Sequence, residues 1–66
     1  MKIEEAIRYF ERELEKVEEA EATEAATAEP DEDLLHAWSY EREVTDMALT
    51  ALRVTRAHLV WLGIDV

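Results

Sequence analysis

The chain has 66 residues, with 17 acids against 7 bases for a formal charge of −10, and no cysteine. So short a chain forms at most one small domain, with neither a disulfide nor a thiolate metal site to staple it. Its charge repels nucleic-acid phosphates and anionic membrane surfaces.

One glycine and one proline, against many Ala, Glu, Leu and Arg, argue against strands and for a nearly all-helical chain. The first helix is expected over about 2–28. Its apolar residues step Ile3, Ile7, Phe10, Leu14, Val17, alternating gaps of four and three, which is the seam of one helix packed on another. Glu4 and Glu5 suit the positive pole of the first turn, and Glu4 with Arg8 makes an i,i+4 pair. Beyond Val17 the stripe thins to Ala20, Glu21, Glu24, Ala25 and Ala28, small or charged residues opposite the bulky Leu34, Leu35, Trp38 and Tyr40. A carboxylate on such a seam must reach water or find a base.

The turn is expected over about 28–32, because Pro30 disfavours helical geometry at Glu29. The acids that follow suit the start of a second helix, with Asp31 as its preferred N-cap and Glu29 before Pro30 at the first helical position as the alternative. That helix is expected over about 32–62. Ala37, Tyr40, Val44, Met47, Ala48, Ala51, Leu52, Val54, Leu59, Trp61 and Leu62 fall within roughly half its circumference at 100° per residue. Trp38, Leu49 and Val60 widen that arc, and Asp46, Thr50 and Arg53 mark the wet side. An arc so broad needs more than one neighbour. Gly63 is placed to take the left-handed position that closes the helix, with Ile64 folding back toward Leu59 and Asp65 and Val66 as a short tail.

The expected fold is therefore all-α: a single domain over residues 1–66, built as a two-helix antiparallel hairpin that dimerises into a four-helix bundle. Ordering the chain costs on the order of 100 kcal/mol at about 1.5 kcal/mol per residue, which a lone hairpin barely offsets, so a homodimer is the expected staple. Ile3, Ile7, Phe10, Leu14 and Val17 are expected to meet Val44, Met47, Ala51, Leu52, Leu59 and Leu62. No apolar run approaches the roughly 18 residues needed to span a bilayer, so the chain is expected to be soluble and cytoplasmic.

Few residues carry chemistry. His58 falls in the apolar arc near Trp61 and reads as a core or interface histidine. Asp33-x-x-His36 has a carboxylate–imidazole spacing used at bundle metal sites, but without the further glutamates such sites require. Neither a Gly-rich phosphate loop nor a nucleophile–base pair nor a basic patch is present. No catalytic residue, metal ligand or cofactor is assigned on these grounds. The strongest charge run is Glu15 to Glu29, a solvated helix face by default.

The acid pairs Glu15-x-x-Glu18 or Glu18-x-x-Glu21, followed some twenty residues later by Glu43-x-x-Asp46, are of the type hard cations prefer. This two-part spacing resembles all-α nucleotide pyrophosphohydrolases of the MazG type, and Leu62-Gly63-Ile64-Asp65 is similar to the end of those domains. The resemblance implies Glu18, Glu21, Glu43 and Asp46 as Mg²⁺ ligands. Arg42 departs from it, standing where a second acid usually precedes Glu43.

Ile3-Glu4-Glu5-Ala6-Ile7-Arg8-Tyr9-Phe10 and Asp46-Met47-Ala48-Leu49-Thr50-Ala51-Leu52-Arg53 resemble the opening and closing helices of short acidic hairpin proteins of bacteriophages and mobile elements. The resemblance implies a non-enzymatic protein that binds a host protein with a basic groove, as anti-CRISPR proteins imitate nucleic acid. The partner-binding residues expected on that reading are Glu11, Glu15, Glu18, Glu19 and Trp38. A third expectation is a structural component of a phage assembly.

Overall fold

The computed structural model describes residues 2–65; the two ends of the expected domain, Met1 and Val66, lie outside the described residues. The chain is an all-α helical hairpin: α1 runs Ile3–Ala25 and α2 runs Glu32–Trp61. It measures 52 × 15 × 14 Å with a radius of gyration of 15.4 Å, against about 11 Å for a compact domain of this length. Among the described residues no helix is long and apolar enough to cross a membrane.

Both ends of α2 form as their residues dictate. The Asp31 side chain accepts the Leu34 N–H at 3.1 Å, satisfying one of the free donors of the first turn. At the other end Gly63 takes φ +78, its N–H donates to the Val60 carbonyl at 3.0 Å, and the Ile64 N–H donates to the Leu59 carbonyl at 2.9 Å. That pair of bonds is the Schellman closure, which glycine enters without the steric cost a Cβ incurs.

The first helix stops three residues earlier than its sequence suggests. Thr27 donates both its N–H and its hydroxyl to the Glu24 carbonyl, at 3.2 and 2.8 Å, and this closes the last turn. The early exit frees the Glu24 side chain, whose Oε1 accepts the Asp31 N–H at 2.9 Å across the turn. Glu24 thus answers the need for a partner on the seam by tying the loop to the helix that precedes it. The expected Glu4–Arg8 pair is also rearranged, since Arg8 Nε donates to the Glu4 backbone carbonyl at 3.4 Å and the Glu4 carboxylate faces Arg56 instead.

The inner seam of α1 is the one its spacing predicts, with Ile7 and Val17 buried and Ile3, Phe10 and Leu14 partly so. Extended by Glu21 and Glu24, it keeps the four–three step to the end of the helix. The inner seam of α2 departs from expectation. Its buried and half-buried line is Leu35, Trp38, Arg42, Thr45, Leu49, Leu52, Arg56 and Leu59, again in steps of three and four. Leu49 is fully enclosed at 0% exposure. Of the residues expected to meet α1, Leu52 and Leu59 lie on this line, whereas Val44, Met47, Ala51 and Leu62 are exposed.

The correction has a physical cause. The apolar residues of α2 occupy two faces: the inner seam, and an outer stripe made of Ala37, Tyr40, Val44, Met47, Ala51, Val54, His58 and Trp61. At 100° per residue the two lines lie about 160° apart. A helical wheel merges them into one broad arc, and it misplaces the inner line further because Arg42, Thr45 and Arg56 occupy inner positions that apolarity alone reads as wet.

Candidate functional site

Three arginines of α2 reach across to glutamates of α1, and their order fixes the antiparallel register. Arg42 Nε lies 3.0 Å from Glu21, an Arg53 guanidinium nitrogen 3.3 Å from Glu11, and an Arg56 guanidinium nitrogen 3.4 Å from Glu4. The Arg42–Glu21 contact is the most enclosed of the three. It is an ion pair by distance and not by direction, because the buried Nε makes no hydrogen bond, while the guanidinium also donates to the Ser39 hydroxyl at 3.4 Å.

One side of the hairpin gathers the acids. Glu11, Glu15 and Glu18 line a shallow groove with Leu14, Leu49 and Arg53, and the groove continues past Glu18 to Arg42, Glu43 and Asp46. Of the residues expected to bind a partner, Glu15, Glu18 and Glu19 are exposed and, among the described residues, without an ion-pair partner. Glu11 is already engaged by Arg53. Trp38 lies on the inner seam, half-buried between Leu35 and Arg42, and does not join the acids.

The groove brings together three of the four acids that the pyrophosphohydrolase resemblance nominates as Mg²⁺ ligands, Glu18, Glu43 and Asp46. The fourth, Glu21, is spent on Arg42. Arg42 also lines the groove, so a fixed cation already stands beside these three acids. Among the described residues no three His, Cys, Asp or Glu side chains are grouped so as to hold a metal ion. Asp33 and His36 are both exposed on the first turns of α2.

The two outer faces differ. That of α1 is polar, with Glu5, Tyr9, Arg12, Lys16, Glu19 and Thr23 along its length. That of α2 exposes Tyr40 at 64%, Met47 at 71%, Val54 at 64% and Trp61 at 81%. His58, expected as a core or interface histidine, lies out here and not in the core, with its ring stacked on Trp61 at 6.4 Å between centroids and 21° between planes. The signal for this stripe is present in the sequence as a second three–four repeat, offset by two residues from the inner one.

Comparison of the chain with family models, curated proteins and solved structures returns no match, so both resemblances rest on the residues that carry them.

Proposed function

We propose that this is a non-catalytic interaction protein whose acidic α1 side, centred on Glu15, Glu18 and Glu19 with Glu11 at its edge, docks into a basic groove on a host protein that otherwise binds nucleic acid. The setting is that of a bacteriophage or mobile element acting in the host cytoplasm, in the manner of an anti-CRISPR nucleic-acid mimic. The observation that carries the reading is an imbalance of position. α1 holds nine acids against three bases, a net of −6, whereas α2 holds five against three, a net of −2. Exposed Glu15 and Glu18 line a groove together with Glu11, Glu19 lies exposed beside them on the outer face of α1, and a surface of one sign steers a partner of the other.

The test is competition. The chain is expected to displace nucleic acid from a basic-grooved host nuclease in a manner that weakens with salt. The combined Glu15→Lys, Glu18→Lys and Glu19→Lys chain is expected to lose that activity. Displacement that survives the reversal would overturn the proposal. The groove shared by Glu18, Glu43 and Asp46, with Arg42 among them, leaves a second reading to test, a Mg²⁺-dependent nucleotide pyrophosphohydrolase. It predicts pyrophosphate release that disappears in Glu43→Gln, an outcome the interaction reading excludes.

A further inference from the structure

The hairpin exposes more surface than a protein of its size usually does. A compact 7.7 kDa monomer exposes about 4,300 Å², and this one exposes 5167 Å². The excess, on the order of 800 Å², is what one partner contributes to a standard protein–protein interface. The outer stripe of α2 is an exposed apolar line, running about 36 Å from Ala37 to Trp61 with the period of a helix–helix seam.

We propose that this stripe is covered by a second copy of the chain, α2 against α2 and antiparallel, about a two-fold axis at the level of Leu49. In that register the residue n places before position 49 faces the residue n places after it in the other copy. Tyr40 then faces His58, Ala37 faces Trp61 and Met47 faces Ala51, so that the larger side chains meet smaller ones, and Val44 faces Val54. A slip of one heptad in either direction leaves Tyr40 or Trp61 in water.

Charge selects the direction. The acids flanking the stripe, Glu41 and Glu43, sit beside its first half, whereas its second half is flanked by Thr55 and Ala57. Antiparallel pairing brings each glutamate beside those uncharged residues. Parallel pairing brings Glu41 to Glu41, Glu43 to Glu43 and Trp61 to Trp61, an arrangement penalised by charge repulsion and by crowding. Because the outer stripe lies about 160° around α2 from the inner seam, the four helices form a flat row, α1, α2, α2, α1, in place of a closed square bundle. The acidic side of α1 stays open at both edges, and the pairing holds or fails independently of what that side binds.

The experiment is sedimentation equilibrium of the full chain at micromolar concentration, with helicity followed in parallel. The expected mass is twice 7.7 kDa. In the hairpin Met47 is 71% exposed, so Met47→Glu is expected to keep its helicity. Two carboxylates near the axis are expected to weaken dimerisation on the order of a hundredfold. Direction is read with a short bis-maleimide on single-cysteine variants, which the cysteine-free chain permits. Thr50→Cys, next to the axis, is expected to couple to its own copy, and Val44→Cys, about 15 Å from its counterpart along the axis, is not. A monomer at high concentration, a dimer indifferent to Met47→Glu, or coupling of Val44→Cys would each overturn the proposal. A monomer would assign the stripe to a different chain.

Discussion

The two helices share one seam and differ in almost everything they turn away from it. α1 spends its apolar residues once, on the inner line from Ile3 to Val17, and gives the rest of its surface to charge. α2 spends its apolar residues twice, on an inner line weakened by Arg42, Thr45 and Arg56 and on an outer stripe that meets nothing in the hairpin. A helix that places arginines inside and Met47, Val54 and Trp61 outside is not optimised for a two-helix fold. Polarity on the inner face is answered by the glutamates of α1, and apolarity on the outer face is what the proposed second copy would cover.

The sharpest way to test that contrast is to place the same charge on two positions of α2 two residues apart. Leu49→Asp puts a carboxylate into the fully enclosed site and is expected to unfold the hairpin, visible as loss of helical circular dichroism. Met47→Asp is expected to leave helicity at wild-type level, and equal loss from the two would erase the distinction between the faces.

A smaller effect should distinguish how the arginines are held. Glu21→Ala leaves Arg42 on the inner seam without its carboxylate. It is expected to cost about 1–2 kcal/mol by urea denaturation, since both groups keep partial access to water. Replacing the pair together, Glu21→Leu with Arg42→Leu, is expected to restore or exceed the original stability. Next come the helix ends: Asp31→Ala removes the side-chain acceptor for Leu34 and is expected to cost about 1 kcal/mol. Gly63→Ala forces a Cβ into φ +78 at a similar cost of about 1 kcal/mol, although nothing crowds that position. Smallest of all, Glu15→Lys and Glu19→Lys on the polar side of α1 are expected to move stability by less than about 0.5 kcal/mol. That leaves binding as their only clear readout.

What could be read from the sequence follows the same division. The seam of α1 is legible because each turn offers one apolar candidate and charge on every other side. The N-cap Asp31 and the closure at Gly63 are legible because their chemistry is local. The start of the turn is not: Ala25 to Ala28 contain no breaker, and the chain leaves the helix where Thr27 caps the Glu24 carbonyl and the Glu24 carboxylate takes the Asp31 N–H of the loop. The inner line of α2 is hidden because its arginines look wet until their glutamates are brought opposite. That knowledge requires the register, which is a property of the pair of helices. The same holds for the candidate groove, where Glu18, Glu43 and Asp46 converge across a gap in sequence while Trp38 turns away into the seam.

Arg42 has a consequence beyond its energy, in the matter of alignment. Glutamates recur on one edge of α1 at Glu4, Glu11 and Glu18, seven residues apart. If the helices slid past each other by one heptad, Arg53 would find a carboxylate opposite in either direction, Glu4 or Glu18, whereas Arg56 would find Glu11 in one direction and run past the start of α1 in the other. Arg42 would find none: one step brings it to Leu14, and the other carries it beyond the end of α1 toward Ala28. Arg53 therefore tolerates a slip in either direction, Arg56 in one direction and Arg42 in neither. The residue that contributes least to the apolar core tells the hairpin where to stop sliding.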